Sequence, residues 1–279
     1  MRWTVMPAGG PRGPMSRPSD PVALRSPVML RFFARVMDRQ LGRNFHAVRL
    51  ARPGLPDLPE GRPLMVVANH PSFWDPALFM ALATRLFPQR ESYGPIDAEM
   101  LRRYRFMARI GLFGVAQGDP RGAAQFLRTA QPLVEDPGRM LWITAQGHFA
   151  DPRDRPLRLQ PGAAHLLARV PGLMALPLAV EYPFWTESRP EALACFGAPV
   201  EARPGEGPEA ANARLTGALE AAQDRLAGLS QGRDASAFDR LLGGRAGVGG
   251  IYDAFGRARA AMTGRRWQAE HMPQERADK

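Results

Sequence analysis

Residues 64–76, LMVVANHPSFWDP, decide the fold because they join a buried strand to the start of a helix. The apolar run LMVVA stops before Asn69 and predicts the first strand of the domain. Asp75 followed by Pro76 predicts a helix start, since Asp is a good N-cap and proline is favoured at the first helical position. His70 therefore follows a strand's carboxyl end, where open α/β sheets place their ligands.

His70 and Asp75 have the residue types of a base and the group that orients it. A histidine accepts a proton from a hydroxyl near neutral pH, and a carboxylate on its other ring nitrogen fixes the tautomer. On one regular helix these positions would point about 140° apart, so they meet only in a turn. Pro71 favours such a turn because it disfavours helix before it. The spacing also fits an alternative in which Asp75 only caps the helix and His70 is an ordinary loop residue.

Strands and helices alternate along the rest of the chain, which indicates an α/β fold. The predicted class is a three-layer domain with a largely parallel mixed sheet flanked by helices, plus N- and C-terminal amphipathic helices. Strands are predicted at residues 93–97, 112–116, 140–145, 175–182 and near 192–200, and helices at 76–86, 99–110, 122–134, 162–169 and 208–229.

Composition divides the chain into four parts. Residues 1–27 are rich in Pro, Gly, Ser and Arg and are expected to form a flexible leader. Residues 28–43 are expected to form an amphipathic helix, 44–242 the main domain, and 243–279 a Gly-rich linker with a basic tail. The helix at 28–43 fits two interpretations, since a helix lying in a bilayer interface and a helix packed on the domain share one pattern.

The charge balance predicts an anionic partner. The chain has 37 Lys and Arg against 27 Asp and Glu, a net charge of +10, and its only lysine is Lys279. Phospholipid headgroups, a phosphorylated or CoA-type substrate, or nucleic acid would each fit. Cys195 is the one cysteine, which excludes an intramolecular disulfide and a cysteine metal site.

The sequence also bears on location. No stretch approaches about 20 consecutive apolar residues, so no transmembrane helix is predicted. The N-terminus lacks an apolar signal core. The expectation is a cytoplasmic protein, peripheral on the inner face of the cell membrane.

The stretch Asn69-His70-Pro71-Ser72-Phe73-Trp74-Asp75 resembles the NHxxxxD signature of the glycerolipid acyltransferases, a family that includes lysophosphatidic acid acyltransferases. Three further blocks follow in the family's order and extend the resemblance over residues 45–200: IGLFGVAQGDPRG (110–122), ITAQGHF (143–149) and ALPLAVEY (175–182). The resemblance implies that His70 deprotonates an acceptor hydroxyl, which attacks an acyl thioester directly, and that Asp75 orients His70. It implies acyl-CoA or acyl carrier protein as co-substrate, with no cofactor and no metal.

The chain departs from the family in two blocks. The third block usually reads Glu-Gly-Thr-Arg, and here Gln146, His148 and Phe149 surround the retained Gly147. In the family that arginine binds the acceptor's phosphate, which Phe149 cannot do because it has no donor. Either other arginines bind the phosphate, or the acceptor is an uncharged or sugar-bearing lipid. The residues predicted to bind substrate are Asn69, Gln146, Gly147, Arg121, Arg153, Arg155 and Arg158, with Arg121 replacing a charge that Ala116 and Gln117 do not supply.

The sequence thus predicts a lysophospholipid or 1-acylglycerol-3-phosphate-type O-acyltransferase. The expected partners are an anionic membrane surface, a lysophospholipid or related lipid acceptor, and acyl carrier protein. The alternatives are an acyltransferase that acts on a non-phosphate lipid acceptor such as a glycolipid, and a non-catalytic lipid-binding relative. A nucleic-acid binder is suggested by charge alone and is disfavoured because no binding motif accompanies the arginines.

Overall fold

A computed structural model describes residues 20–116 and 118–244. Nine strands form one sheet: β1 (Ala47–Ala51), β2 (Leu64–Ala68), β3 (Glu91–Asp97), β4 (Leu112–Val115), β5 (Arg139–Thr144), β6 (Met174–Glu181), β7 (Ala192–Phe196), β8 (Val200–Glu201) and β9 (Phe238–Gly243). The helices are α1 (Pro21–Leu24), α2 (Pro27–Asn44), α3 (Asp75–Leu86), α4 (Ala98–Arg103), α5 (Pro120–Val134), α6 (Gly162–Arg169) and α7 (Pro208–Gly232). Two 3₁₀ helices lie at Arg105–Ile110 and Ala235–Ala237.

The strands are ordered β4-β3-β5-β2-β6-β7-β1-β9, with β8 also paired to β6. The pairings from β4 across to β6 are all parallel. β7 runs antiparallel to β6, and β9 runs antiparallel to β1. The prediction of a largely parallel mixed sheet is therefore confirmed.

Helices cover both faces of the sheet, as the three-layer prediction requires. On one face, α5, α6 and α7 pack over a core that includes Met65, Val67, Leu141 and Ala175. On the other face, α3 and part of α2 pack over alternate residues of the same strands, among them Val66 and Leu176. The central strands are buried on both faces, which explains why they read as continuous apolar runs.

Two strands at one side of the sheet escape the sequence patterns. β1 precedes β2, so the prediction that residues 64–68 form the first strand is wrong in order, though the strand itself is confirmed. β1 contains Arg49, which is buried beside Glu191. This charged residue interrupts the apolar run by which a buried strand is recognised in a sequence. β9 ends at Gly243, one residue into the predicted linker, and pairs with β1.

The arginine-rich helix predicted at 99–110 is divided in the structure. α4 ends at Arg103, Tyr104 leaves helical geometry, and a 3₁₀ helix continues to Ile110. Phe106 then stacks on Phe33 of α2 at a centroid distance of 4.8 Å, so tertiary packing overrides the local helical pattern. Gly111 follows with φ of 96°, and a Cβ there would lie 2.5 Å from the Ser92 carbonyl oxygen.

The amphipathic helix predicted at 28–43 is present as α2 and packs on the domain. Asp38 accepts two hydrogen bonds from Arg85 of α3, at 3.0 and 2.9 Å, and Leu41 is fully buried. The opposite side of α2 remains exposed and carries two apolar residues with four arginines: Val28, Phe32, Arg31, Arg35, Arg39 and Arg43. The helix is therefore docked, and it also presents a basic face to solvent.

The predicted leader and tail lie mostly outside the described residues. Within the predicted leader, residues 21–24 form α1, and Pro21 is buried, so this part is folded. The C-terminal amphipathic helix predicted beyond residue 250 and Gln117 lie outside the described residues. Among the helices the structure does describe, none combines the length and apolarity needed to cross a bilayer.

Candidate active site

The candidate site lies at the carboxyl ends of three neighbouring strands. β2, the central one of the three, is flanked by β5 and β6, and all three run parallel. The segments that follow them carry His70 after β2, Gln146 after β5 and Tyr182 after β6. Three stretches far apart in sequence therefore meet at one edge of the sheet.

Asn69 fixes the end of β2 against β6. Its Nδ2 donates to the Val180 carbonyl at 3.1 Å, and its Oδ1 accepts from the Val180 N–H at 2.8 Å. The residue is fully buried. The sequence predicts that Asn69 binds substrate. In the structure its side chain instead bonds the backbone of Val180 and so helps to position His70, the next residue.

Replacing Asn69 with alanine is expected to destabilise the fold by roughly 2–5 kcal/mol, because each orphaned buried polar group costs about 1–3 kcal/mol. Urea denaturation of both proteins measures this difference. Asn44 is a suitable control, since its Nδ2 bonds Gln40 at the exposed end of α2. Asn44→Ala should change stability by no more than about 0.5 kcal/mol, and equal losses in the two variants would refute the anchoring role.

His70 and Asp75 face each other across the predicted turn. His70 Nδ1 lies 2.6 Å from Asp75 Oδ2. The side chain of Asp75 has no exposed surface, whereas that of His70 is 18% exposed. A carboxylate beside Nδ1 favours the tautomer with its proton on Nδ1, so Nε2 is left as the proton acceptor.

The alternative in which Asp75 serves only as a helix cap does not describe the structure. Asp75 is the first residue of α3, and Trp74 at the cap position makes no side-chain capping bond. The carboxylate instead turns back into the preceding loop, where its Oδ2 also accepts from the Ser72 N–H at 3.1 Å. The turn therefore holds the carboxylate on the imidazole.

Tyr182 contacts the same carboxylate and was not singled out from the sequence. Its hydroxyl donates to Asp75 Oδ1 at 2.7 Å. Burial first, and the charge of Asp75 second, raise the pKa of Tyr182 well above its ordinary value, so the hydroxyl keeps its proton. Tyr182 directly follows β6, the strand that pairs with β2, and this position in the sequence could have indicated that it lies near His70.

The third block supports the backbone of His70. Gln146 is buried, and its Oε1 accepts from the His70 N–H at 3.1 Å. Gly147 has φ of 75°, in the left-handed region that favours glycine. Its N–H donates to the Thr144 carbonyl at 3.1 Å. Gln146 and Gly147 thus shape the loop next to the imidazole.

Phe149 stands where the family has an arginine, and it covers the imidazole. Its ring centroid lies 4.2 Å from that of His70, with 33° between the planes, and the residue is 59% exposed. The Ala150 N–H then donates to the His70 carbonyl at 3.0 Å and ties the loop to the site. The surface beside the imidazole of His70 therefore includes an apolar ring.

Two of the nominated arginines are bound to carboxylates. Arg153 makes a two-point ion pair with Asp151, at 2.8 and 2.7 Å. These bonds lower the pKa of Asp151 to about 2. Arg155 reaches Asp224 of α7 at 2.5 Å and anchors the loop on that helix. Both guanidinium groups therefore already face an anion.

The other two nominated arginines are exposed. Arg158 lies later in the same loop, and Arg121 lies at the start of α5 beyond β4. β4 is separated from β2 by two intervening strands, although both end at the same edge of the sheet. The structure thus brings Gln146, Gly147 and the loop of Arg153 to His70 but leaves Arg121 at a distance along the edge.

Two further features describe the surroundings of the site. In the described part of the chain, no group of three or more His, Cys, Asp or Glu residues is placed to hold a metal ion. A cavity of about 280 Å³ lies beside α7, lined by Phe196, Ala222 and Arg225 among others, and no nominated site residue lines it. This cavity is therefore separate from the His70–Asp75 site.

Comparisons with known proteins give a family match for part of the chain and a similar fold. Residues 50–181 match the model of a protein family described as Acyltransferase. Among solved structures, the chain is similar to the 1-acyl-sn-glycerophosphate (LPA) acyltransferase PlsC from Thermotoga maritima. The TM-score is 0.52 at 15% identity, covering 71% of this chain and 79% of PlsC, which shows a shared fold. No curated protein sequence matches the chain.

Proposed function

We propose that this chain, whose residues 50–181 match the acyltransferase family model, transfers a fatty acyl group from a thioester to the hydroxyl group of a lipid, with His70 as general base. The observation that carries the proposal is the 2.6 Å contact between His70 Nδ1 and a fully buried Asp75. The donor would be acyl-CoA or acyl carrier protein. Both present an acyl thioester on a phosphate-bearing arm, which suits a basic protein.

The reaction then needs no acyl-enzyme. The acceptor oxygen attacks the thioester carbonyl carbon while His70 Nε2 takes the hydroxyl proton. Asp75 stabilises the imidazolium that forms. When the tetrahedral intermediate collapses, the C–S bond breaks and the thiolate leaves with the proton from Nε2. The products are an ester and a free thiol, and His70 returns to its starting state.

Phe149 favours an acceptor whose reacting hydroxyl is not next to a phosphate. A phosphate beside the base would meet the phenyl ring that covers His70 and an Arg153 already paired with Asp151. An uncharged or sugar-bearing lipid would fit these groups better than lysophosphatidic acid, which is the second candidate acceptor.

Acyl transfer to a panel of acceptors tests both the proposed function and the preference for an uncharged acceptor. Purified protein would be given acyl-CoA or acyl carrier protein with lysophosphatidic acid, monoacylglycerol or a monoacylated glycolipid, and ester products identified by mass spectrometry. Ester formation on any lipid hydroxyl supports the function. Greater kcat/KM on lysophosphatidic acid than on the uncharged lipids would overturn the acceptor preference, and no ester on any acceptor would overturn the function.

The exposed face of α2 supports a peripheral position on an anionic membrane. Val28 and Phe32 are 65% and 56% exposed, and four exposed arginines continue the same face. Apolar side chains next to arginines are typical of helices that lie at a bilayer surface, because the arginines are attracted to anionic headgroups. We propose with it a cytoplasmic location, on the inner face of the cell membrane.

Replacing Arg35 and Arg39 with glutamine should weaken binding to phosphatidylglycerol vesicles by roughly tenfold or more, since each arginine near an anionic surface contributes about 1 kcal/mol. Vesicle sedimentation at low and high salt measures the change. The matched control is Arg169→Gln/Arg203→Gln, which removes the same charge from exposed positions away from α2. Equal weakening in both double variants would mean that net charge, rather than α2, governs binding.

A further inference from the structure

We propose that Tyr182 is a positioning residue for acyl transfer, and that its hydroxyl holds the carboxylate of Asp75 in the orientation that faces His70. The inference rests on the proposed function, because it assigns Tyr182 a part in the reaction that His70 would perform. It adds a third side chain, 107 residues from Asp75 in sequence, to the pair that the sequence identifies.

The carboxylate of Asp75 depends on three donors because it has no exposed surface. His70 Nδ1 and the Ser72 N–H meet Oδ2, at 2.6 and 3.1 Å, whereas the Tyr182 hydroxyl meets Oδ1 at 2.7 Å. Removing the Tyr182 hydroxyl leaves Oδ1 buried without its donor. An unpaired buried acceptor costs free energy, so the carboxylate would no longer be held in one orientation toward His70.

The position of the Tyr182 hydroxyl is set by packing. Its ring lies 5.5 Å from that of Phe45, which in turn meets Trp74, the residue before Asp75, at 5.2 Å. The segment after Tyr182 is closed by a hydrogen bond from the Glu191 N–H to the Pro183 carbonyl at 2.8 Å. These contacts hold the phenol against the start of α3.

Glu191 connects this segment to a buried cluster with His46, which precedes β1, and Arg49 of β1. Its two carboxylate oxygens lie 2.5 Å from His46 Nδ1 and 3.0 Å from Arg49 Nε, and all three residues are almost fully buried. A buried charged cluster with several hydrogen bonds fixes its members in one arrangement. The segment that carries Tyr182 is thus anchored at both ends, by Asp75 and by this cluster.

The chain offers a matched tyrosine away from the site. Tyr93 is buried in β3, and its hydroxyl donates to Glu91 Oε2 at 2.8 Å. Glu91 is the first residue of β3, so this bond lies at the amino end of the strand, away from the carboxyl ends that carry the site. Tyr93→Phe and Tyr182→Phe therefore remove the same kind of bond, a phenol donating to a carboxylate. Only Tyr182→Phe removes it from the catalytic carboxylate.

The experiment measures kcat, KM and the proton resonance of His70 Nδ1 in both variants and in the wild-type protein. Tyr182→Phe is expected to lower kcat by about 10- to 100-fold, since hydrogen bonds to charged groups are the stronger class, and to leave KM for the acceptor within about twofold. The His70 Nδ1 resonance, which reports the bond to Asp75, should move. Tyr93→Phe should retain wild-type kcat and an unmoved resonance.

A wild-type kcat in folded Tyr182→Phe overturns the inference, and so does an equal loss in the two variants, because loss of stability alone would then explain it. The resonance keeps this result distinct from failure of the proposed function. If the wild-type protein transfers no acyl group to any acceptor, the function fails. An unmoved His70 resonance in Tyr182→Phe overturns the positioning role even in that case.

Discussion

His70→Ala is expected to reduce acyl transfer by about 10²–10⁴-fold, the range that a positioned general base contributes. The variant removes Nε2, the atom placed to accept the proton of the attacking hydroxyl. His70 is partly exposed, and its backbone N–H and carbonyl are held by Gln146 and Ala150. The backbone bonds remain in the alanine variant, so the fold should persist. Rates of thiol release and ester formation measure the effect.

His165→Gln provides the matched control because it also removes an imidazole, from α6 on a face of the sheet rather than from the edge that carries the site. It should retain wild-type kcat. Circular dichroism and thermal unfolding of both variants separate lost chemistry from lost folding. If folded His70→Ala loses no more than about tenfold of the wild-type activity, the loss is well below that expected for a general base. His70 would then have no such role in the mechanism.

Asp75→Asn is expected to reduce kcat by about 10²–10⁴-fold while leaving most of the fold in place. An amide offers one acceptor oxygen where the carboxylate offers two, although three donors point at this group. With its NH₂ group toward His70, the asparagine would favour the tautomer that carries the proton on Nε2. That tautomer cannot accept a proton from the acceptor hydroxyl.

A double variant tests whether the two side chains act as one unit. Residues that act together show effects that do not add, so His70→Ala/Asp75→Asn should be no slower than His70→Ala alone. Steady-state kcat for the two single variants and the double variant gives the comparison. Losses that multiply would show that Asp75 contributes independently of His70 and would contradict the orienting role.

The sequence predicts the centre of the fold because the middle residues of its central strands are apolar. β2, β5 and β6 are buried on both faces and therefore appear as uninterrupted hydrophobic runs. The His70–Asp75 pair is also predicted, since both residues lie in one turn whose prolines disfavour regular helix on one side and start a helix on the other. Local chemistry is sufficient for these features.

Features that depend on contacts between residues far apart in the chain are not predicted from the sequence. β1 contains Arg49, which is tolerated in the core because Glu191, 142 residues away, neutralises it. The break at Tyr104 follows from stacking between Phe106 and Phe33. Tyr182 and Phe149 contact Asp75 and His70 only because β5, β2 and β6 are neighbours. No local pattern encodes these pairings, so the walls of the site cannot be predicted from the residues that form them.

The central claim, that His70 is a base and no side chain carries the acyl group, can be measured directly. The protein would be mixed with an acyl thioester, with and without the best lipid acceptor of the panel, and quenched for intact mass and product analysis. The account predicts an unchanged protein mass in both cases, with thiol and lipid ester formed in equal amounts only when the acceptor is present. An acylated protein that forms without acceptor and decays to lipid ester at the rate of turnover would contradict it.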